Sequence, residues 1–485
     1  MGEIAKKARA KRKPTPAETY LAIATMVAIL MIGSAIIGID IKVLLIACSA
    51  INLLLAYRCG YGWSDVETTF SRKISEMSGA LLIIIAIGFV IGSWMVSGTV
   101  PALAYWLSSV IAVDFILPCA FILTGIMSCL IGSSFAVMGT LGIVLFNTAV
   151  AQGIDPGMAA AVVICGSNVG QFTSPLADVS SAISGFNRLT VYEHLHQLRK
   201  PVILACIISV VAYFVIGTTM GGGSSDLAAA GALREEIAQF FNLNPLVVLP
   251  LVLAIGMCIL KMPPALALFA SGFVAIVVAM GIQGVPFVDA AMCAWSGYDV
   301  TVMLPDAHMS EMLFGFLNRG GAVSMADGVM FILVAMATVS VLETIGIFDV
   351  IQETALRGAK TIRSLTVSTS LFSALFTCVT CDSYTTNAVA ATSLRGAYIK
   401  AGYNPKTIDM LAISWAFMVE QILPWTFIAV YSGSVYGVEV LAYAPGCIFY
   451  FAMCLIVTVM PFIGLGYEKI DENFVDETTA EETEG

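Results

Sequence analysis

The chain has 485 residues, of which 59% are hydrophobic and 12% are charged, and its mean hydropathy is +0.92. A soluble core does not need so large an apolar share, and repeated apolar runs of about 18 or more residues are typical of a polytopic membrane protein. The formal charge of −10 comes mostly from an acidic tail at 467–485, so it gives no reason to expect a nucleic-acid partner.

The beginning of the chain predicts which side of the membrane it starts on. Six basic side chains lie in the segment 1–17, and a full-length apolar run follows instead of a short signal-peptide core with a cleavage site. We predict a cytoplasmic N-terminus, because Lys and Arg concentrate in cytoplasmic loops. Spans near 18–37 and 40–57 would return the chain to that side, where Arg72 and Lys73 are found. The lipid bilayer is therefore the first expected partner.

A long stretch without basic residues comes next. From Lys73 to Arg188 the chain contains no intervening Lys, Arg or His. A third span at 77–97 leads to a loop with Asp114 and no base, which we predict to be external. Within the same stretch, S-P-L-A-D at 174–178 places a helix-breaking proline and a carboxylate inside an apolar segment. This combination indicates a membrane transporter.

Two parts of the chain, 249 residues apart, resemble each other. The matching positions are Cys129 with Cys378, Ser134 with Ser383, Gly153 with Gly402, Pro156 with Pro405, and Pro175 with Pro424. Their charge patterns are opposite, because the base-free loop at Asp114 corresponds to a loop with Arg357, Lys360 and Arg363. We therefore predict an inverted repeat, the architecture of many secondary transporters.

Counting crossings gives an all-α polytopic fold with about ten transmembrane helices plus two helical hairpins, and both termini cytoplasmic. Whether the hairpins cross fully or re-enter is left open by the count. In chain order the predicted parts are a basic cytoplasmic N-terminus (1–17), scaffold helices (18–75), transport repeat 1 (77–187) with a hairpin at about 115–152 and a broken helix at about 158–185, more scaffold helices (199–285), an external loop (286–325), transport repeat 2 (326–436) with a hairpin at about 364–402 and a broken helix at about 407–434, a last scaffold helix (446–465), and the acidic cytoplasmic tail (467–485).

Carboxylates at membrane depth are functional candidates, because burying an unpaired charge is costly. Asp178, Asp382 and Glu420 coincide with predicted chain breaks, and Pro175 and Pro424 are expected to break the two helices. Neutral oxygen donors near these breaks are Ser133, Ser134, Asn168, Gln171, Ser174, Ser383 and Thr385. Such oxygens suit Na⁺, and we predict a Na⁺ site at Asp178 and Asp382 with Glu420 as a third carboxylate. A carboxyl group can hold H⁺ instead, which is the minimum requirement for exchange.

Structural alternatives exist for each candidate. Asp178 could cap a half-helix, Asp382 could be only a polar hairpin tip, and Glu420 could pair with a polar group of the first repeat. His194, His196 and His308 fall in predicted loops without metal-ligand spacing, so we expect them to be solvated. Twelve cysteines lie in apolar segments and are expected to be reduced hydrophobic residues. Gly88 and Gly92 are expected to be packing positions.

Several motifs resemble the NhaC family of Na⁺/H⁺ antiporters. They are G-S-W-M-V-S-G-T-V-P at 92–101, G-S-S-F-A-V-M-G-T-L-G at 132–142, F-T-S-P-L-A-D at 172–178, D-S-Y at 382–384 and L-P-W at 423–425. The resemblance covers about 75–465 and implies ten or more spans, two hairpins, ion-driven exchange and a homodimer formed through the scaffold. Carried over by position, it implies functional roles for Ser174, Pro175, Asp178, Asp382 and Tyr384.

The chain departs from the family pattern in two places. Gln171 stands where the family usually has an acid before its S-P motif, and Glu420 adds an acid at the pseudo-symmetric position of the second repeat. One carboxylate is lost and one is gained across the repeat axis. The change either moves a Na⁺ site or indicates a different substrate.

These observations lead to two hypotheses about function. The first is a Na⁺/H⁺ antiporter of the cytoplasmic membrane that works by alternating access and needs no cofactor. The alternative is a Na⁺- or H⁺-coupled carrier of a small organic anion, such as malate or lactate, or of an amino acid. An enzyme is not expected, because no nucleophile, base or metal-ligand group lies at one depth.

Overall fold

The computed structural model describes residues 11–220, 234–305, 307–354 and 361–470. The regular structure within these ranges is helical, with one isolated antiparallel bridge between Tyr403 and Lys469. Residues 1–10, Arg357, Lys360 and most of the acidic tail, all used in the topology prediction, lie outside the described residues.

Within each described range the helices follow one another with short connections. Those of the first half are α1 (Pro16–Met31), α2 (Ile41–Arg58), α3 (Trp63–Val96), α4 (Thr99–Val110), α5 (Val113–Ile131), α6 (Ser134–Val137), α7 (Ile143–Ala151), α8 (Pro156–Thr173), α9 (Asp178–Phe186) and α10 (Val191–Met220). A π-helical segment, Met138–Gly142, joins α6 to α7. Those of the second half are α11 (Arg234–Phe240), α12 (Leu249–Ile259), α13 (Pro264–Val278), α14 (Phe287–Ser296), α15 (Val300–Met303), α16 (Glu311–Leu317), α17 (Ala326–Thr344), α18 (Ile347–Thr354), α19 (Ile362–Thr380), α20 (Ser383–Ser393), α21 (Arg395–Lys400), α22 (Lys406–Ile422), α23 (Phe427–Tyr436), α24 (Val440–Tyr443) and α25 (Ile448–Phe462).

The helix lengths and surfaces fit a membrane. Among the described residues, 8 helices are long and apolar enough to span a bilayer, or up to 11 if each of three bent pairs is one span. Only 28% of the apolar window of α2, and the same share of α10, is buried inside the protein. Leu54 and Ile207 on these helices are exposed, which a lipid environment favours and water does not. The predicted all-helical polytopic fold is confirmed.

The 249-residue offset found in the sequence is also present in the helix boundaries. α19 begins and ends 249 residues after α5, at Ile362 and Thr380 against Val113 and Ile131. The same offset relates the starts of α6 and α20, the ends of α8 and α22, and the starts of α9 and α23. Breaks in corresponding places therefore interrupt both copies, as an internal repeat requires.

The stretch predicted as an external loop, 286–325, contains α14, α15 and α16, and its last part packs along α3. The amide of Gly321 donates to the carbonyl oxygen of Gly88 at 2.9 Å. A side chain at Gly88 would overlap backbone at Gly321, and one at Gly92 would overlap the carbonyl group of Cys293. The two glycines of α3 thus allow a close backbone approach, in line with their expected packing role.

The prediction for His194 was wrong, because its side chain is fully buried in α10. Its Nδ1 lies 2.7 Å from Oδ2 of Asp409 on α22, which is also fully buried. Asn187 donates to the other carboxylate oxygen at 3.0 Å. A pair 215 residues apart in the chain leaves no local sequence pattern, which is why the sequence did not indicate it.

This buried pair gives a first prediction. Asp409→Ala should lower the stability of the purified protein by about 3–5 kcal/mol, because it leaves a buried polar partner unpaired. The control is the neighbouring pair on the same two helices, Lys406 and Glu193, whose charged atoms are 3.0 Å apart and half exposed. Lys406→Ala should cost about 0–1 kcal/mol. Thermal unfolding in detergent checks both variants, and equal losses would contradict the assignment.

Candidate functional site

The two broken helices are each held by the hairpin of the same repeat. The α8–α9 break covers 174–177, and the α22–α23 break covers 423–426. Oγ of Ser174 donates to the carbonyl oxygen of Cys129 at 2.8 Å. Nε1 of Trp425 donates to the carbonyl oxygen of Cys378 at 3.0 Å. Because Cys129 and Cys378 are equivalent positions, each break is hydrogen-bonded to the same place in its hairpin, through a serine in the first repeat and a tryptophan in the second.

The hairpin tips have the same backbone shape. Gly132 and Cys381, which are equivalent, both end a helix in the left-handed region, with φ of 76° and 56°. Glycine adopts this conformation freely, whereas a cysteine there is strained. Such strain is concentrated at functional sites, and here it lies in the second tip, next to Asp382.

The residues after the tips cap the following helices. Ser133 accepts from the amide of Ala136 at 3.4 Å. Asp382 accepts from the amides of Tyr384 at 3.2 Å and Thr385 at 2.8 Å, and from the Thr385 hydroxyl. A helix N-terminus stabilises a negative charge, so the second tip can hold an ionised carboxylate and the first tip carries none.

Each tip touches the broken helix of the other repeat. Phe135 of the first tip packs against Phe427, the first residue of α23, with ring centroids 6.4 Å apart. At the equivalent place Tyr384 donates its hydroxyl to Oδ2 of Asp178, the first residue of α9, at 3.2 Å. One contact of the pseudo-symmetric pair is aromatic and the other is polar. The ionisable groups are therefore gathered on one side of the repeat axis.

The Gln171 and Glu420 positions are equivalent and lie beside equivalent serines. Nε2 of Gln171 donates to Oγ of Ser134 at 2.9 Å. The carboxyl group of Glu420 lies beside Ser383 and near Asp382. Glu420 is only 2% exposed, and its Oε2 has no hydrogen-bond partner among the described residues. Oγ of Ser383 is also buried and has no hydrogen-bond partner among the described residues.

A cavity of about 400 Å³ brings these groups together. Asp382, Glu420, Tyr384 and Thr385 line it, as does Lys73 on α3. Two carboxylates and several hydroxyls thus face one space, which is suited to a small monovalent cation. No group of three or more His, Cys, Asp or Glu side chains that could hold a metal ion is found in the described ranges.

The predicted site residues divide into two sets. Asp382, Thr385 and Glu420 line the cavity, and Ser383 adjoins it through Glu420. Asp178 is exposed and connects to the cavity through Tyr384. The remaining five lie in and around the first tip and break: Ser133, Ser134, Asn168, Gln171 and Ser174. Pro175 and Pro424 lie inside the two breaks, as predicted.

Three cavity residues with a hydroxyl or ammonium group were not among the predicted ligands. They are Tyr384, Thr380 and Lys73. The hydroxyl of Thr380 donates to the carbonyl oxygen of Asp382 at 3.1 Å and so fixes the tip. The family resemblance already implied a role for Tyr384, and the offset adds a reason, because its equivalent is Phe135 and the added hydroxyl marks a polar contact. Lys73 could not be predicted, since its position depends on how α3 packs.

A model of the Na⁺/H⁺ antiporter family matches residues 168–467, more than half of the chain. The matched part includes the end of α8, the first break and α9, together with the whole second hairpin and second broken helix.

The chain belongs to the Na⁺/H⁺ antiporter family.

Individual relatives within the family are similar over almost the whole length. An uncharacterized Na⁺/H⁺ antiporter of Haemophilus influenzae is 29% identical over 464 residues, covering 95% of this chain and 98% of the relative. The Na⁺/H⁺ antiporter NhaC of Alkalihalophilus pseudofirmus is 24% identical over 462 residues, covering 95% and 98%. A malate-2H⁺/Na⁺-lactate antiporter of Bacillus subtilis is 25% identical over 434 residues, covering 90% and 92%.

Membership of the antiporter family confirms the resemblance to NhaC that the sequence motifs indicated. The protein is a multi-pass membrane transporter and not an enzyme. The family alone does not choose between the two hypotheses on cargo, because one relative is named for cations and another for organic acids.

Proposed function

We propose that the protein exchanges Na⁺ for H⁺ across the cytoplasmic membrane, with Asp382 and Glu420 as the competing binding groups. The observation that carries the proposal is the shared cavity of these two carboxylates. Two negative charges in a partly desolvated space repel each other, so a proton or a cation there is strongly favoured. A site that holds either ion but not both couples the two movements.

Buried oxygens on α20 and α22 support a cation. Oε2 of Glu420, Oγ of Ser383 and Oδ1 of Asn387 are buried acceptors without a hydrogen-bond partner among the described residues. Ser383 and Asn387 are four residues apart, on one face of α20. Unsatisfied buried oxygens are costly, and a Na⁺ ion coordinated by them would remove that cost.

The two carboxylates have different tasks in this proposal. Asp382 is partly exposed and lies at the N-terminus of α20, which favours an anionic group, so we assign it to the attraction of Na⁺. Glu420 has almost no contact with water, so it carries the proton when Na⁺ is absent. Tyr384 connects the exposed Asp178 to the cavity, and we assign Asp178 to the entrance for ions.

The cavity also supports alternating access. Lys73 lines the cavity and lies next to Arg72 in the N-terminal part of α3. Its Nζ is 3.1 Å from Oε2 of Glu343 on α17. We infer from the concentration of basic residues in cytoplasmic loops that this end of α3 is cytoplasmic, and we assign the cavity to an inward-facing state. The hairpins and broken helices would then move against α3 and its neighbours to open the site outward.

The expected result in proteoliposomes is proton movement driven by a Na⁺ gradient. A Na⁺ pulse outside vesicles should release internal protons, and an equal pulse of choline should not. Empty vesicles are the control for leakage. If Na⁺ alone moves no protons but does so with malate or lactate present, the organic-anion carrier replaces the proposed function. Fluorescence of an internal pH dye measures each case.

A further inference from the structure

A second cavity lies apart from the carboxylates. It has a volume of about 290 Å³ and is lined by α7, the end of α23, and the segment that follows α16. Arg319, Phe146, Asn147, Ser434 and Tyr436 contribute to its wall, and no acidic side chain does so among the described lining residues. At about 30 Å³ for each water, the space suits a small organic molecule.

Arg319 gives this cavity a positive charge. Its Nε donates to the carbonyl oxygen of Gly315 at 3.2 Å, and its guanidinium carbon lies 5.6 Å from the ring centroid of Phe146. None of the ion pairs in the described part of the chain includes Arg319. Burial lowers the pKa of its guanidinium, but a guanidinium stays protonated at neutral pH. A charge is therefore present, and its terminal nitrogens have no carboxylate partner within the residues that the structure describes.

The position of Arg319 is fixed by the backbone around it. Gly320 and Gly321 follow it, and the amide of Gly321 is bonded to Gly88 of α3. A side chain at Gly320 would overlap the amide of Gly92. The backbone next to Arg319 is thus packed rigidly against α3, and the guanidinium lies over the ring of Phe146. A preorganised cation of this kind loses little conformational entropy on binding a ligand.

An alternative explanation is that Arg319 has only a structural role, as a cation near the C-terminal end of α23. Helix C-termini attract cations, and Ser434 to Gly437 line the same cavity. This attraction offsets part of the cost of burial, but no hydrogen bond joins Arg319 to those carbonyl groups among the described contacts. The terminal nitrogens therefore remain available to a ligand.

Arg319 provides hydrogen-bond donors to the cavity, whereas Asn147 provides an acceptor. Its side chain is only 3% exposed, and Nδ2 donates to the carbonyl oxygen of Ile143 at 2.8 Å. The remaining atom, Oδ1, is a buried acceptor without a partner in the described residues. A hydrogen-bond donor would satisfy it, so a ligand that fits both residues carries an anionic group and a donor.

We propose that this cavity binds a small carboxylate with a hydroxyl or ammonium group beside it, through Arg319 and Asn147. Arg319 would form a bidentate interaction with the carboxylate, and Oδ1 of Asn147 would accept a hydrogen bond from the hydroxyl or ammonium group. This site is separate from the proposed cation site, since no residue lines both cavities. The two proposals can therefore fail independently.

The test compares ligands that differ in one group. In calorimetry on the full-length purified protein, glycolate and glycine should each be compared with acetate, which has the same carboxylate and no donor. At least one of the two should bind ten times or more tighter than acetate. Which one does so distinguishes a hydroxyl from an ammonium group. Equal affinities for all three, or equal binding of chloride, would overturn the proposal.

Variants then assign the two contacts. Arg319→Gln should abolish binding of all carboxylates, and Arg319→Lys should weaken it by tenfold or more because the bidentate interaction is lost. Asn147→Leu should keep acetate binding and remove the advantage of glycolate or glycine. Asp382→Asn should leave every affinity unchanged, which separates this site from the cation site. Unchanged binding in Arg319→Gln, with a melting temperature equal to that of the wild type, would refute the assignment.

Discussion

Asp382→Asn is expected to lower Na⁺-driven proton release about a hundredfold or more while leaving the fold intact. At 4 Å a unit charge contributes about 4 kcal/mol to cation binding when the effective dielectric constant is about 20, and each 1.4 kcal/mol is about tenfold in affinity. Asparagine caps a helix about as well as aspartate does, so α20 should still begin at Ser383. The measurement is the initial rate of proton release after a Na⁺ pulse.

The matched control for this variant is Asp155→Asn. Asp155 also caps a helix, since it accepts from the amide of Met158 at 3.0 Å, but it lies at the start of α8 and does not line the cavity. The two substitutions remove the same charge from the same structural role. We expect equal melting temperatures and very different transport. Similar transport by both variants would show that Asp382 is only a cap.

The breaks in the helices could be predicted from the sequence because their causes are local. Pro175 and Pro424 lack a backbone donor, and the offset of 249 placed the second tip once the first was found. Helix boundaries in the structure keep that offset to the residue at most ends. Local backbone chemistry therefore determines where the helix breaks and hairpin tips that build the site are found.

The contacts between the two repeats could not be predicted, because they depend on how distant segments pack. The bond from Tyr384 to Asp178 joins residues 206 positions apart. The exposure of Asp178 has the same origin, since it depends on what covers the start of α9. Periodicity describes one helix at a time and carries no information on these partners.

The two sides of the repeat axis differ in a consistent way. Where the first repeat has Ser133, Phe135 and Gln171, the second has Asp382, Tyr384 and Glu420. Every ionisable group of the three pairs belongs to the second repeat. The first repeat thus keeps the shape of the tip without a charge at these three positions, and its Asp178 contacts the charged tip of the second repeat, so one ion site is defined for each chain.

Glu420→Gln is expected to raise the melting temperature and to abolish exchange at the same time. The amide of the new side chain can donate to Oγ of Ser383, as Gln171 donates to Ser134 at 2.9 Å in the other repeat. It also removes a buried carboxyl group with an unsatisfied oxygen, which should stabilise the protein by about 1–3 kcal/mol. Transport is lost because an amide cannot release a proton.

The reverse substitution, Gln171→Glu, completes the comparison. It places a carboxyl group beside Ser134, outside the cavity that Asp382 and Glu420 line, so we expect a lower melting temperature and unchanged ion coupling. Thermal unfolding and the Na⁺ pulse are measured on both variants. Destabilisation by Glu420→Gln with full exchange would mean that Glu420 is a structural residue. A gain in stability with loss of exchange is the result that a functional carboxylate predicts, because such groups are kept at the expense of stability.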